Sequence, residues 1–282
     1  MLLKDYFPNL QKKYHKLSFK GIAFNSKDIK EGYIFFAFKG NNTDGNLFIK
    51  DAIRNGSKII ISDKFKTNNW KNNILFLKNE NPRKLLAKFS SKIFKKKPNN
   101  LIGVTGTNGK TSIANFYYQI LQLNSKKVAA IGTLGVLSKK LKYKTNNTTM
   151  DPIQIHKILE KLKVLKIENV IMEASSHGLK QNRLNKIKFK TALFTNLSRD
   201  HLDYHKTFKD YLNSKLILFR ELLNNKGNII FEKSSRQAKY LSNISKKKNL
   251  KKYLYGEGKS FLKIKNIQKV NNSKKIDFIF NK

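Results

Sequence analysis

The 282-residue chain contains no cysteine, which excludes disulfides and thiolate metal sites and suits a reducing compartment. Acidic residues are scarce: 18 Asp and Glu stand against 59 Lys and Arg, a formal net charge of +41. Such a surplus would suit nucleic acid, an anionic membrane surface or a polyanionic substrate. The lysines, however, recur in "KKKPNN", "SKKKNLKK" and "NNSKKI" instead of gathering on one segment. We read them as compositional drift of the whole chain and expect no nucleic-acid partner. Long apolar runs are missing too. The longest, "YIFFAF" (residues 33–38), is far too short to cross a bilayer, and the start "MLLKDYFPNLQKKYHK" lacks a signal-peptide core. A cytoplasmic protein without a membrane span is expected.

A hydrophobic fraction of 39% can build cores, and the length exceeds one domain of roughly 100 to 150 residues. In the first part "YIFFAFKG", "SKIIIS" and "ILFLK" read as strands, while "NLFIKDAIRNG", closed by Gly56, and "NPRKLLAKFSSKIF" read as helices. "KKKPNN" breaks the pattern with charge, Pro98 and two asparagines, so we place a boundary between domains 1–97 and 98–282. Beyond it "LIGV", "KVAAIG", "NVIMEAS", "TALFTNLS" and "GNIIFE" alternate with helical patterns such as "IQIHKILEKLKVL" and "YHKTFKDYLNSKLILFRELL". The fold class is therefore α/β, with a small N-terminal α/β domain and a central domain whose mainly parallel sheet is flanked by helices. From Tyr253 onward the chain reads as short strand-like pieces without a closing element.

The most specific stretch is "NLIGVTGTNGKTS" (residues 100–112), a strand, a glycine-rich turn and the head of a helix. Ile113, Phe116, Tyr117, Ile120 and Leu121 follow at a spacing that puts them on one helical face. This is the context of a phosphate-binding loop: glycines let backbone N–H groups turn onto phosphate oxygens, Lys110 supplies a cation, and the Thr111 hydroxyl can hold Mg²⁺. The strict G-x-x-x-x-G-K-[ST] pattern is missed, because Val104 stands at the first glycine.

"GVTGTNGKT" resembles the ATP loop of the Mur ligase superfamily, ATP-dependent amide-forming enzymes. "IMEASSHGLKQNRL" and "TNLSRDHLDYHKTFKDYLNSK" look like central-domain motifs of its E-type, which adds the third residue to UDP-N-acetylmuramoyl-L-alanyl-D-glutamate, and "YIFFAFKGNNTDGNLFIKDAIRNGSKIII" is similar to the N-terminal uridine-nucleotide-binding domain. The resemblance implies a reaction in peptidoglycan synthesis in which ATP phosphorylates the D-glutamyl carboxylate and an incoming amino acid, diaminopimelate or lysine, attacks the acyl phosphate. It assigns ATP to Gly106, Thr107, Asn108, Gly109, Lys110, Thr111 and Ser112, and catalysis to Lys110, Glu173, His201 and Lys215. Thr111 and Glu173 become Mg²⁺ ligands and His201 a ligand of a second Mg²⁺, with Asp200 behind it. Lys215 becomes a carbamylated lysine (N6-carboxylysine), and Ser26, Thr148, Thr149, Ser175, Gln181 and Arg183 become substrate contacts. An arginine suits that role because its planar fork grips a carboxylate at two points.

Several positions depart from the family pattern: Asn25 replaces an acidic residue beside Ser26, Met150 stands where proline is common, and "EKSS" (residues 232–235) replaces an Asn and Asp cluster near the nucleotide base. The family's third domain, which closes over ATP and selects the amino acid, has no counterpart, so we expect a fragment or truncated product, monomeric. Three other readings stand beside the ligase: a non-catalytic paralogue that binds the muramoyl nucleotide or ATP, folylpolyglutamate synthase, and charge-driven nucleic-acid binding.

Overall fold

A computed structural model describes residues 1–7, 10–40, 43–145, 147–256, 260–271 and 273–280. The chain divides into two compact units: Met1–Lys95 with Asp151–Lys157 and Gln181–Lys186, and Lys96–Met150 with Ile158–Lys180 and Ile187–Lys282.

The first unit holds β1 (Gly21–Ala23), β2 (Tyr33–Ala37), α1 (Ile49–Arg54), β3 (Ile59–Ser62), β4 (Asn69–Lys71), β5 (Ile74–Lys78) and α2 (Pro82–Ile93). Its sheet has the order β1-β2-β3-β5-β4, parallel except for the edge strand β4. Side chains on a strand alternate between faces. Ile34 and Phe36 therefore join Ile59, Ile61, Leu75, Leu77 and Phe89 on one side, while Phe35 and Ala37 meet Ala52 and Ile60 on the other. With both faces covered, β2 reads as an unbroken apolar run. The helix expected over "NLFIKDAIRNG" begins as a 3₁₀ turn, Gly45–Phe48, capped by the Asp44 side chain, and the chain turns away at Gly56 (φ +100°). Asn81 caps α2 by accepting the Lys84 N–H at 2.9 Å, with Pro82 at the first helical position.

The second unit contains β6 (Asn100–Thr105), α3 (Lys110–Leu123), β7 (Val128–Gly132), β8 (Gly135–Leu137), α4 (Pro152–Val164, begun in the first unit), β9 (Asn169–Glu173), α5 (Ser176–Lys180) and β10 (Phe189–Phe194). It continues through α6 (Leu202–His205), α7 (Phe208–Ile217), β11 (Leu223–Glu232), α8 (Ala238–Lys248), β12 (Lys251–Tyr255), β13 (Leu262–Val270) and β14 (Ser273–Phe280). The nine strands run β14-β13-β12-β11-β10-β6-β9-β7-β8, and every neighbouring pair is parallel except the outermost two, β7–β8 and β13–β14. The mixed α/β architecture with parallel-dominated sheets is as the sequence pattern requires. β6 lies inside the sheet, with β9 and β10 on either side, so its carboxyl end opens where parallel α/β sheets place ligands.

Two local expectations are corrected. On α3 the inward stripe is buried Ala114 with half-buried Ile113, Tyr117 and Tyr118, packed against Val104, Ala130 and Ile171, whereas Phe116 and Ile120 are 59% and 57% exposed. Two stripes one residue apart satisfy the same helical spacing, and small Ala114 lets the helix axis approach the sheet. The long helix expected over residues 204–223 is interrupted. Lys206 takes φ +58°, and Thr207 starts α7 afresh by accepting the Asp210 N–H on its hydroxyl at 3.1 Å. The segment ends in a π-helical turn, Leu218–Leu222. Leu218 of that turn sits so close to β6 that a Cβ on Gly103 would lie 2.8 Å from its Cδ1.

Candidate active site

The loop between β6 and α3 is held from the side of β10. Thr107 N–H donates to the Asn196 carbonyl and Asn108 N–H to Asn196 Oδ1, both at 3.0 Å, and Thr195 Oγ1 donates to the Asn108 carbonyl at 2.7 Å. Tyr211 OH lies 3.2 Å from Thr107 Oγ1. Gly106, at φ +149°, passes so near Thr195 that a Cβ would fall 1.8 Å from its hydroxyl. Gly109, at φ +83°, has nothing within 4 Å of its Cβ position. Open space thus lies ahead of the helix. No side chain caps α3, and the N–H groups of Lys110, Thr111 and Ser112 have no acceptor within a helix that starts there. The helix dipole adds positive potential at this end, and the cradle fits the phosphates of a nucleotide.

Two lysines converge on one carbonyl. Lys110 Nζ donates to Gly106 O at 2.9 Å and to Thr107 O at 2.7 Å, and Lys215 Nζ donates to the same Gly106 O at 2.6 Å. Burial pushes the Lys110 ammonium below its usual range, although Glu173 and Asp200 pull the other way. Lys215 is buried, its ammonium 4.2 Å from the Tyr211 ring centroid. Its pKa falls from 10.5 to about 7, first through burial and then through repulsion from Lys110, against attraction by Asp200. A large neutral fraction at ordinary pH makes Lys215 a nucleophilic amine as well as a cation.

Glu173 ends β9, only 3% exposed. Its Oε2 accepts from the Thr111 hydroxyl at 2.9 Å and from Thr133 Oγ1 at 3.2 Å, and its Oε1 accepts the Thr133 N–H at 2.9 Å. Gly132 is required beside it, because a Cβ there would stand 2.0 Å from Oε1. One carboxylate beside one hydroxyl is a hard oxygen pair, the donor set that suits Mg²⁺, which takes one or two carboxylates plus phosphate and water. Among the described residues no three His, Cys, Asp or Glu side chains gather closely enough to hold a metal ion. Glu173, Asp200 and His201 therefore do not form one three-ligand cluster.

His201 begins α6 at φ +52°, with Nε2 3.5 Å from Asp200 Oδ2 and its ring against those of His177 and Tyr211. His205 is fully buried, with Nε2 3.0 Å from Ser176 Oγ and Nδ1 3.3 Å from Ser214 Oγ. Burial lowers its pKa to about 4, helped by His177 and Lys180. It is a neutral residue that ties α5 to α7.

The predicted substrate contacts separate. Thr148 is half-buried, its hydroxyl 3.0 Å from Thr133 Oγ1. Thr149 is 3% exposed, not presented outward as its sequence context suggests: it donates to the Glu173 carbonyl and accepts the Ser175 N–H, each at 3.0 Å. Gln181 and Arg183 group with the first unit, where Arg183 Nε and Nη2 donate to Gln181 Oε1 at 3.0 and 2.8 Å. Ser26 is buried, and the neighbouring Asn25 caps its turn by accepting the Lys27 N–H, the capping role an aspartate would also fill. Met150 is buried. In the "EKSS" turn, Ser234 Oγ donates to Glu232 Oε1 at 3.0 Å. Sequence reasoning missed Thr133, Asn196 and Tyr211. The one signal for Thr133 was its place after an apolar strand, at the sheet edge where ligands gather.

A parallel sheet whose inner strand ends in a glycine loop, with a lysine and threonine facing a buried carboxylate, defines a nucleotide-binding α/β domain of the P-loop kind. Comparison narrows the class. The family model for the Mur ligase middle domain matches residues 104–282, and that for the Mur ligase family catalytic domain matches 18–94. The chain belongs to the Mur ligase family. It is 38% identical over 281 residues to the UDP-N-acetylmuramoyl-L-alanyl-D-glutamate–2,6-diaminopimelate ligase of Rickettsia prowazekii (strain Madrid E), covering 97% of this chain and 57% of that protein. A solved structure of a ligase with the same description superposes with TM-score 0.83 at 24% identity, covering 99% of this chain and 57% of the other. The MurF ligase from Thermotoga maritima in complex with ADP superposes at 0.57 with 19% identity, over 92% of this chain and 55% of that one. The chain thus spans somewhat more than half the length of its relatives. Among the described residues no helix is long and apolar enough to cross a membrane.

Proposed function

We propose that this chain carries the ATP- and acceptor-binding parts of a cytoplasmic, monomeric ligase that joins an amino acid to UDP-N-acetylmuramoyl-L-alanyl-D-glutamate for peptidoglycan synthesis. The observation that carries the reading is the Thr111 hydroxyl held 2.9 Å from the Glu173 carboxylate at the head of a phosphate-binding loop. The name of the similar Rickettsia ligase supports the muramoyl dipeptide nucleotide as acceptor, and diaminopimelate ahead of lysine as the amino acid. The ADP in the Thermotoga structure supports ATP as the nucleotide.

Lys110 and the amide groups at the start of α3 bind the phosphates, with Gly106, Thr107, Asn108 and Gly109 shaping the loop. Thr111 and Glu173 would hold one Mg²⁺ and His201 a second, and these ions would supply neutralisation of charge while two anions approach. Lys215 adds a second cation beside Lys110, or an anion once carbamylated. The N-terminal domain, residues 1–97 with Ser26, binds the uridine nucleotide, while Thr148, Thr149, Ser175, Gln181 and Arg183 orient the muramoyl peptide. Thr149 acts through its grip on the Glu173 strand end.

Calorimetric titration with the muramoyl dipeptide nucleotide tests the reading, with duplex DNA as control and phosphate release in ATP, Mg²⁺ and diaminopimelate as the second stage. Micromolar binding, roughly −8 kcal/mol, followed by amino-acid-dependent phosphate release supports the ligase. Binding without release leaves a binding module. Salt-sensitive DNA binding with no muramoyl binding overturns the proposal.

A further inference from the structure

Thr133 follows β7 directly, and β7 pairs in parallel with β9, which ends in Glu173. Two adjacent strand ends therefore bring Thr133 and Glu173 together from 40 residues apart. The contact is double: the backbone N–H serves Oε1 at 2.9 Å and the hydroxyl serves Oε2 at 3.2 Å. Each carboxylate oxygen is thus held from the same residue, and rotation of the carboxylate would break one bond or the other. A hydroxyl has one proton. Since that proton goes to Glu173, the 3.0 Å contact with Thr148 must run from the Thr148 hydroxyl onto Thr133 Oγ1. Thr111 Oγ1 lies 3.4 Å from the same oxygen. A directed chain results, Thr148 to Thr133 to Glu173, that links the "NNTT" loop to the carboxylate beside Thr111.

We propose that Thr133 is a positioning residue: it holds the Glu173 carboxylate against the Thr111 hydroxyl in the orientation needed for a Mg²⁺–nucleotide, and passes the state of the Thr148 loop to it. This rests on the nucleotide-binding reading given above. Groups that orient a metal-binding carboxylate characteristically change metal affinity by about 10- to 100-fold when removed.

The test is a Mg²⁺ titration of fluorescent ATP-analogue binding to the full chain, an equilibrium readout independent of turnover. Thr133→Val keeps the shape and the backbone N–H but removes the hydroxyl, and Thr133→Ser keeps the hydroxyl. Thr133→Val should raise the Mg²⁺ concentration at half-saturation by about 10-fold, while Thr133→Ser stays within about 2-fold of wild type. Thr148→Val should weaken binding less, and adding it to Thr133→Val should change nothing more, because Thr148 reaches Glu173 through Thr133. The side chain of Thr133 is exposed, so unchanged melting temperatures are expected and would confirm that the variants fold. A wild-type midpoint in Thr133→Val, or additive effects in the double variant, overturns this inference while the function stands. Wild-type protein without Mg²⁺-dependent nucleotide binding overturns both.

Discussion

Replacing Lys215 by methionine should stabilise the fold, and by an amount that shrinks as the pH rises. The side chain is 1% exposed, and its pKa is pushed down from 10.5 to about 7, mainly by burial. Between those two values the unfolded chain binds a proton that the folded chain does not, so stability rises with pH across that interval. The destabilisation is full below the folded pKa and disappears toward the unfolded one. At 1.36 kcal/mol per unit, the charged form costs about 4–5 kcal/mol near pH 6.5 and about 2 kcal/mol near pH 9. Methionine has nearly the same length and carries no charge, but it forfeits the hydrogen bond to Gly106 O, about 1 kcal/mol at every pH. Lys215→Met should therefore gain about 3–4 kcal/mol near pH 6.5 and about 1 kcal/mol near pH 9. Urea unfolding of both proteins in CO₂-free buffer measures the difference, since a carbamate would replace the cation under study. A difference that stays level to within about 0.5 kcal/mol across that range would refute a depressed Lys215.

Other consequences are as direct. His205, neutral and with its pKa lowered to about 4, supports the fold above its unfolded value, and that support is lost as pH falls from about 6.5 to 4. The loss is about 3 kcal/mol, and His205→Gln should remove the slope from thermal melts recorded across that range. Glu173→Gln keeps the shape but not the charge, and under the ligase reading it should cut phosphate release by about 10²-fold or more while muramoyl-nucleotide binding persists. On α3, Phe116→Lys should leave stability within about 0.5 kcal/mol, whereas Ala114→Leu should cost about 1–3 kcal/mol through overpacking. A larger loss from Phe116→Lys than from Ala114→Leu in denaturant titrations would show that the helix presents the other stripe.

What could be read from the sequence was whatever a short stretch determines by itself. The phosphate loop was legible because glycines, lysine and threonine act within one turn of chain, and β2 was legible because a strand covered on both faces must be apolar throughout. The face of α3 was not, since Phe116 and Ile120 satisfy the helical spacing as well as Ala114 and Tyr118 do. Choosing between them depends on β6 and β7, which lie elsewhere in the chain. The break before α7 turned on one capping threonine, Thr207, inside an otherwise continuous helical pattern. Lys215 looked like any other lysine on a charged helix, because its burial arises from a contact with Gly106 109 residues away. Thr133 lay in an ordinary strand end and gained its place only when β7 was paired with β9.

The same distinction separates the charge of the site from the charge of the chain. Among the described residues most of the lysines behind the +41 face water, where salt screens them within about 10 Å, and they act on a ligand weakly and without direction. Lys110 and Lys215 differ because both are desolvated and both donate to one carbonyl oxygen. Burial and the neighbouring Lys110 both disfavour the charged form of Lys215, and an arriving phosphate reverses that balance, so the pair favours anion binding at that point. Gly106, whose lack of a Cβ lets the loop pass Thr195, and Tyr211, which meets both Thr107 and the Lys215 ammonium, make the arrangement possible. The chemistry of the site is set by where two lysines are buried and not by how many lysines the chain carries.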